Sequence, residues 1–241
     1  MSRARGLGFG LLTVAVRHVA NATPRTRIIG LDLGHTAFPF SAGQAVMVGL
    51  HGSPLRKPYS IASAPWEFGK TGVLHLLAQV DETGALDPHL ELAASGTLID
   101  LEGPFGTFGL PPALADRPLL FVAGGTGIAP LRSILMERLS RPGVPVVSVV
   151  YSARSPEQFA YRAELDAMAH AGRINLVLTV SRVGEGWDGR LGRIDEGLLK
   201  AAIPSLEACC LVCGPPQLVS DSTELLWRMG VSRDRILTEK Y

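Results

Sequence analysis

Cysteine is nearly missing from this chain: among 241 residues the three cysteines are Cys209, Cys210 and Cys213, all inside one short segment. That spacing builds no disulfide framework, and three thiolates fall short of the four an ordinary iron–sulfur cluster takes. A reducing, cytoplasmic setting is the expectation. Charge of one sign is missing too. Lysine and arginine number 23 against 22 aspartate and glutamate, a formal balance of +1. That leaves no broad basic field for nucleic acid and makes any partner-docking patch local. The histidines, His18, His35, His51, His75, His89 and His170, show no paired ligand spacing, so no metal site is expected. No serine sits in a nucleophile elbow, so hydrolase chemistry has no support. No apolar run approaches the roughly twenty residues of a membrane span. Near the start, Arg3 and Arg5 precede an apolar stretch, and Ala20-Asn21-Ala22 has the small-x-small form of a cleavage site. Arg17 and His18 interrupt that stretch, which argues against export.

What the chain does have is a change of rhythm halfway along. The first half reads as short strands of period-two texture between glycine and proline turns, over 10–18, 26–33, 45–50, 57–63, 73–80 and 97–102. That is the pattern of an antiparallel barrel, here with one helix at about 88–94. In the second half strands at 119–123, 146–151, 174–180, 209–213 and 235–237 alternate with helices near 130–140, 157–170, 195–201 and 217–229. Alternation of this kind predicts a parallel sheet covered by helices. A proline-rich seam at 110–118 separates the halves and places the domains at 1–112 and 116–241.

Two segments carry most of the chemistry. Arg56-Lys57-Pro58-Tyr59-Ser60 puts two cations, an aromatic ring and a hydroxyl on one extended stretch, since Pro58 disfavours helix at Lys57. Gly124-Gly125-Thr126-Gly127-Ile128-Ala129-Pro130 follows an apolar run and opens a helix with Pro130 near its start. Such a helix start offers free N–H groups and a positive dipole end to a phosphate. After the second strand of that half comes Arg154, after the third Arg182. Both fall at carboxyl ends of adjacent strands, where arginine forks suit a 2′-phosphate and an acid would suit a free ribose hydroxyl.

Taken in order, Ala42-Gly43-Gln44, Lys57-Pro58-Tyr59-Ser60, Gly103-Pro104-Phe105-Gly106, Gly125-Thr126-Gly127-Ile128-Ala129-Pro130, Cys213-Gly214-Pro215-Pro216 and Thr238-Glu239-Lys240-Tyr241 resemble the ferredoxin–NADP reductase superfamily over nearly the whole length. The resemblance implies a flavin-binding barrel and a nucleotide-binding α/β domain. It implies FAD on Arg56, Lys57, Pro58, Tyr59 and Ser60, with Tyr59 packed on the ring system and Ser60 beside N5. Where the family has an arginine two residues before the tyrosine, this chain has Lys57, with Arg56 one earlier. Lysine keeps the charge without the bidentate fork. The family's Gly-x-x-Ser/Thr is Gly84-Ala85-Leu86-Asp87 here. A carboxylate facing a pyrophosphate would be repelled by about 4 kcal/mol at 4 Å and an effective dielectric near 20. This departure leaves FAD against FMN open.

By the same resemblance Gly125, Thr126, Gly127, Pro130, Gly214 and Pro215 bind the dinucleotide, Tyr161 lies against its adenine end, and Cys213 lies near the nicotinamide. Tyr241 stacks over the flavin, and Glu239 comes near Ser60 and Cys213 to serve proton movement. NADP(H) is favoured over NAD(H). The activity expected is passage of a hydride from NAD(P)H to bound FAD. Single electrons then go to a separate acceptor protein: a ferredoxin, a flavodoxin or an oxygenase-linked carrier. The reductase component of a multicomponent oxygenase is one alternative. A nucleotide-binding regulatory subunit without turnover is another.

Overall fold

The computed structural model describes residues 9–81, 86, 90, 93–143, 145–182 and 186–241. Gly84, Ala85 and Asp87, and most of the expected 88–94 helix, lie outside the described residues. Leu90, Ala93 and Ala94 are not helical.

The first sheet contains β1 (Phe9–Thr23), β2 (Thr26–Asp32), β3 (Ala45–Leu50), β4 (Lys57–Ser60), β5 (Val73–Gln79) and β6 (Leu98–Phe105). Its order is β4-β3-β6-β1-β2-β5, with all pairs antiparallel. The two edges then meet: Ile61 bridges Leu76 and the Ala62 N–H donates to the His75 carbonyl at 2.8 Å. Closure into a barrel removes the exposed edges a flat sheet would leave. The interior fills with Val16, Ile29, Leu31, Val46, Val48, Leu74, Leu76, Ile99 and Leu101, all buried. These residues alternate with outward ones, as the period-two texture requires. β1 is longer than expected and runs through Ala20–Ala22, with a register shift between Val16 and His18.

The helix α1 (Pro65–Thr71) was not expected from the sequence. Its signals are nonetheless local: Pro65 at the first position, Glu67 accepting the Ala64 N–H at 2.7 Å, and Gly72 at φ 67 closing the end.

In the second half α2 (Ile128–Leu139), α3 (Arg162–His170), α4 (Glu196–Ala202) and α5 (Pro216–Arg228) flank a parallel sheet. Its strands are β7 (Leu119–Gly124), β8 (Val147–Ala153), β9 (Asn175–Val180), β10 (Arg190–Leu191), β11 (Cys209–Gly214) and β12 (Ile236–Lys240), ordered β10-β9-β8-β7-β11-β12. From β7 the chain steps outward through β8, β9 and β10, then returns to lay β11 on the other side. The switch point therefore falls between β7 and β11, and ligands of such sheets bind outside the strand ends there. The 157–170 helix expected from the sequence is shorter than that. A turn of 3₁₀ helix at Pro156–Gln158 is followed by extended Phe159 and by Tyr161 at φ 59, so α3 begins at Arg162. A non-glycine residue in the left-handed region breaks a helix because its Cβ crowds the carbonyl.

Helix α2 lies between the sheet and the barrel and is buried along most of its length. Bonds from it hold the two halves together. Ser133 Oγ donates to the Ser63 carbonyl at 2.8 Å, and Trp66 Nε1 donates to the Met136 carbonyl at 3.2 Å. Arg132 is 7% exposed, yet every one of its N–H groups has an acceptor. It forks to Glu67 of α1 at 2.9 and 2.9 Å, forks to Glu164 of α3 at 2.7 and 2.7 Å, and reaches the Ala62 carbonyl at 2.8 Å.

Candidate active site at the switch point

The glycine turn after β7 is pressed onto the end of β11. A Cβ on Gly127 would stand 2.3 Å from the Cys213 carbonyl oxygen, and one on Gly124 would stand 2.5 Å from Leu218. Only glycine allows this approach. The turn is one of 3₁₀ helix (Gly125–Gly127) that runs into α2, so α2 starts two residues before Pro130. Hydrogen bonding from Thr126 and Gly127 toward the phenol of Tyr241 opposes the rise that burial gives its pKa. That phenol in turn donates to the Gly124 carbonyl at 2.9 Å. The turn is thus a set of donors aimed at an oxygen, as a phosphate or amide of a dinucleotide requires. Tyr241 was expected to stack over a flavin; its hydroxyl lies in the turn, and burial raises its pKa.

Three predicted residues meet at one carboxylate. The parallel register sets Cys213 of β11 beside Glu239 of β12. Ser60 Oγ, from the end of β4 in the barrel, donates to Glu239 Oε2 at 3.4 Å, and Cys213 Sγ donates to the same oxygen at 3.9 Å. Burial raises the Glu239 pKa against the opposing effect of these two bonds. Burial first, then the adjacent carboxylate, raises the Cys213 thiol, so sulfur stays protonated. Burial likewise pushes Cys209 up to about 11 and Cys210 up to about 12. All three thiols are free, and these two are core residues.

Beside the turn opens a cavity of about 800 Å³, large enough for a dinucleotide. The sheet contributes Gly124, Gly125, Thr126, Arg154, Arg182 and Pro215 to its wall, and Tyr241 closes one side. Gly127, Pro130, Cys213 and Gly214 lie behind that lining. The Arg182 N–H donates to the Arg154 carbonyl at 2.9 Å, so the two arginines are neighbours across β8 and β9. A third, Arg193, lines the same cavity just beyond β10. Sequence reasoning missed it, because the two-residue strand before it is too short to read as a strand. Arg25, Thr23, Thr26 and Gln79 form the barrel's share of the wall. Two carboxylates also line it: Asp221 accepts from Gln217 Nε2 at 2.6 Å, and Glu157 is held by the Ser155 hydroxyl.

Tyr161 does not line this cavity. Its ring packs under the Arg132 guanidinium, 5.0 Å from the ring centroid, and its buried hydroxyl has no partner among the described residues. At this left-handed residue the side chain lies against α2 rather than in the cavity wall.

On the barrel, Lys57 pairs with Val48, Pro58 with Met47, Tyr59 with Val46 and Ser60 with Ala45. Lys57 and Pro58 are exposed and Tyr59 is half-buried. Arg56 Nη1 lies 4.0 Å from Glu102, while its Nε is buried with no partner among the described residues. Gly49 permits this: a Cβ there would meet the Leu55 carbonyl at 2.2 Å and the Arg56 stem at 3.1 Å. An orphaned guanidinium nitrogen beside an exposed lysine and a tyrosine fits a phosphate-bearing aromatic cofactor. Leu86, from the expected pyrophosphate segment, bridges Val80 and packs on the barrel core. Among the described residues no cluster of His, Cys, Asp and Glu could hold a metal ion, and no helix is long and apolar enough to cross a membrane.

Comparison with known proteins matches two family models. A family model of the oxidoreductase FAD-binding domain matches residues 13–109, and one of the oxidoreductase NAD-binding domain matches residues 121–224. Ferredoxin–NADP reductase B of Sorangium cellulosum is 34% identical over 215 residues, covering 85% of this chain and 86% of that protein. NADH-cytochrome b5 reductase 1 of Eremothecium gossypii is 28% identical over 241 residues, covering 96% and 82%. The solved structure of a cytochrome P450 reductase from Amycolatopsis superposes with a TM-score of 0.80 at 26% identity, covering 95% of this chain and 70% of that one.

Proposed function

This chain belongs to the ferredoxin–NADP reductase superfamily of flavin-dependent oxidoreductases, and from that premise we propose that it draws electrons from NADPH through bound FAD and hands them to a separate carrier protein. When bound, the flavin supplies the conversion between two-electron and one-electron chemistry. We read residues 1–112 as the flavin-binding unit and 116–241 as the nucleotide-binding unit.

The observation that carries this reading is the meeting of Ser60, Glu239 and Cys213 at one carboxylate oxygen. It joins a strand of one sheet to two strands of the other, beside the glycine turn. In our reading Ser60 Oγ is the group that would face the flavin's reactive edge. Glu239, with its pKa raised by burial, takes or returns the proton at Ser60 Oγ. Cys213 stays a thiol and walls the nicotinamide end against water. Arg56 and Lys57 bind the flavin phosphate and Tyr59 its ring face. Arg154, Arg182 and Arg193 address the 2′-phosphate of NADP. The glycine turn receives the nicotinamide half once the Tyr241 hydroxyl leaves it.

The direct test is the absorption spectrum of the purified protein under anaerobic conditions. Flavin bands that bleach on adding NADPH support the enzyme. A colourless protein, or bands indifferent to both NADPH and NADH, would sink it in favour of a regulatory nucleotide-binding role.

Two variants probe the assignments. Replacing Arg56 and Lys57 together with alanine is expected to yield protein stripped of flavin after purification, read from the flavin-to-protein absorbance ratio. Stoichiometric flavin would mean the phosphate lies elsewhere. Ser60→Ala should keep its flavin but slow anaerobic flavin reduction by NADPH about 10²-fold or more, the range for a group that handles a proton in the transition state. A rate equal to wild type removes Ser60 from the reacting centre.

The carrier is proposed to be a ferredoxin, a flavodoxin or an oxygenase-linked protein. The Sorangium relative is a ferredoxin–NADP reductase by name and the Amycolatopsis neighbour a cytochrome P450 reductase. A role as the reductase of an oxygenase system is therefore the second reading.

A further inference from the structure

The glycine turn is held by two phenols, on successive carbonyls. Tyr241, at the chain end and half-exposed, donates to the Gly124 carbonyl. Tyr151, in the middle of the parallel sheet and 0% exposed, donates to the Gly125 carbonyl at 3.0 Å. The Tyr151 oxygen also accepts the Ala160 N–H at 3.3 Å, so both hydrogen-bonding directions of the hydroxyl are used. Its ring is fixed edge-to-face against Phe159, with centroids 5.0 Å apart. The first phenol can leave; the second cannot.

A trans peptide points its carbonyl and the following N–H in opposite directions. Drawing the Gly125 carbonyl toward Tyr151 therefore turns the Thr126 N–H the other way, to where it faces the Tyr241 oxygen in the cavity. Gly125 sits at φ 53, a conformation glycine adopts without the cost a side chain would bring. That same freedom means nothing in the residue itself keeps the peptide in this orientation. We propose that Tyr151 is a positioning residue for the dinucleotide: its buried hydroxyl fixes the Gly125–Thr126 peptide so that the turn presents its N–H groups to the ligand. The proposal rests on the reading that this turn receives the nicotinamide half of a pyridine dinucleotide.

The phenol also ties the turn to the segment before α3. Ala160, which it holds, is followed by Tyr161 under Arg132. The anion-facing turn, the β8 strand and the contact between the halves thus share one rigid frame.

The test is calorimetric titration of wild type and Tyr151→Phe with NADP⁺ and, separately, with adenosine 2′-phosphate. The latter reaches the arginine end of the cavity without touching the turn. The variant should bind NADP⁺ about five- to tenfold more weakly, the loss expected of a hydrogen bond and its reorganisation. Adenosine 2′-phosphate should bind as in wild type. In turnover, KM for NADPH should rise with kcat nearly unchanged. Equal NADP⁺ affinity in both proteins overturns the proposal, and so does equal weakening of both ligands, which would mean general damage to the cavity. A wild type that binds adenosine 2′-phosphate but not NADP⁺ overturns the underlying reading of the turn instead. Should the variant not fold, amide hydrogen exchange of the wild type decides. Saturating NADP⁺ should slow exchange at Thr126, Gly127 and Ala160 together, and an Ala160 amide indifferent to ligand overturns the proposal.

Discussion

Replacing Arg154 or Arg182 with alanine is expected to raise KM for NADPH by about one to two orders of magnitude and to leave catalysis with NADH nearly unchanged. Each arginine lines the cavity at the end of its strand, and a backbone bond joins the two residues. A hydrogen bond to a charged group contributes roughly 1.5–3 kcal/mol, and 1.4 kcal/mol is tenfold in affinity. NADH lacks the phosphate these side chains address, so its KM reports damage to the fold and nothing else. Arg193 at the third strand end should behave as a weaker copy of the other two. Steady-state kinetics with both cofactors decides the matter. A wild type that prefers NADH would transfer the site's specificity to Glu157 and Asp221, the carboxylates on the same wall, which suit a ribose hydroxyl.

Much of this architecture was legible in the sequence because it depends on local signals. Period-two texture marked the barrel strands to within a few residues, and the apolar run, glycines and helix start marked the turn at 124–130. The meeting of Ser60, Glu239 and Cys213 was legible only through family order, since no local rule sets residues 60 and 239 together; strand closure and parallel register do that. α1 carried readable signals in Pro65, Glu67 and Gly72, but seven residues are too few to show helical periodicity. Tyr161 stands under Arg132 and not in the cavity wall, a placement set by a left-handed residue that leaves no mark in composition. Tyr151 stands in the strand expected at 146–151, where nothing in the sequence marks its hydroxyl. Where a hydroxyl ends is a matter of packing. Arg132 was equally invisible. An arginine in an apolar helix shows no partners until two carboxylates are brought to it from residues 67 and 164.

Arg132→Ala is expected to destabilise the fold strongly, costing about 3 kcal/mol. The figure follows from leaving partly buried carboxylates with no counter-charge, where breaking a buried pair costs roughly 3–5 kcal/mol. For a chain of this size that is a fall in Tm of about 6–12 °C. The Glu67 and Glu164 side chains keep 19% and 30% exposure, which argues for the lower end of that range. Arg132→Met should recover part of the loss, since a flexible apolar chain refills the stem's volume. Pairing Arg132→Met with Glu67→Gln and Glu164→Gln should recover more, because no uncompensated charge then remains. The pH dependence has a definite sign. Burial would raise the Glu67 pKa, but the Arg132 fork and the Ala64 N–H outweigh it and hold the carboxyl below its ordinary value. A carboxylate depressed in the folded state contributes stability in full above its unfolded pKa and loses it as pH falls through the lower folded value. Wild type should therefore lose stability on acidification around and below pH 4.5, the ordinary value at which the unfolded carboxyl is half-protonated. The Arg132→Met, Glu67→Gln, Glu164→Gln protein should show a flatter acid limb in thermal melts. Parallel acid limbs in the two proteins would mean that the bond between the halves is made elsewhere, at Ser133 and Trp66, and that Arg132 only fills space.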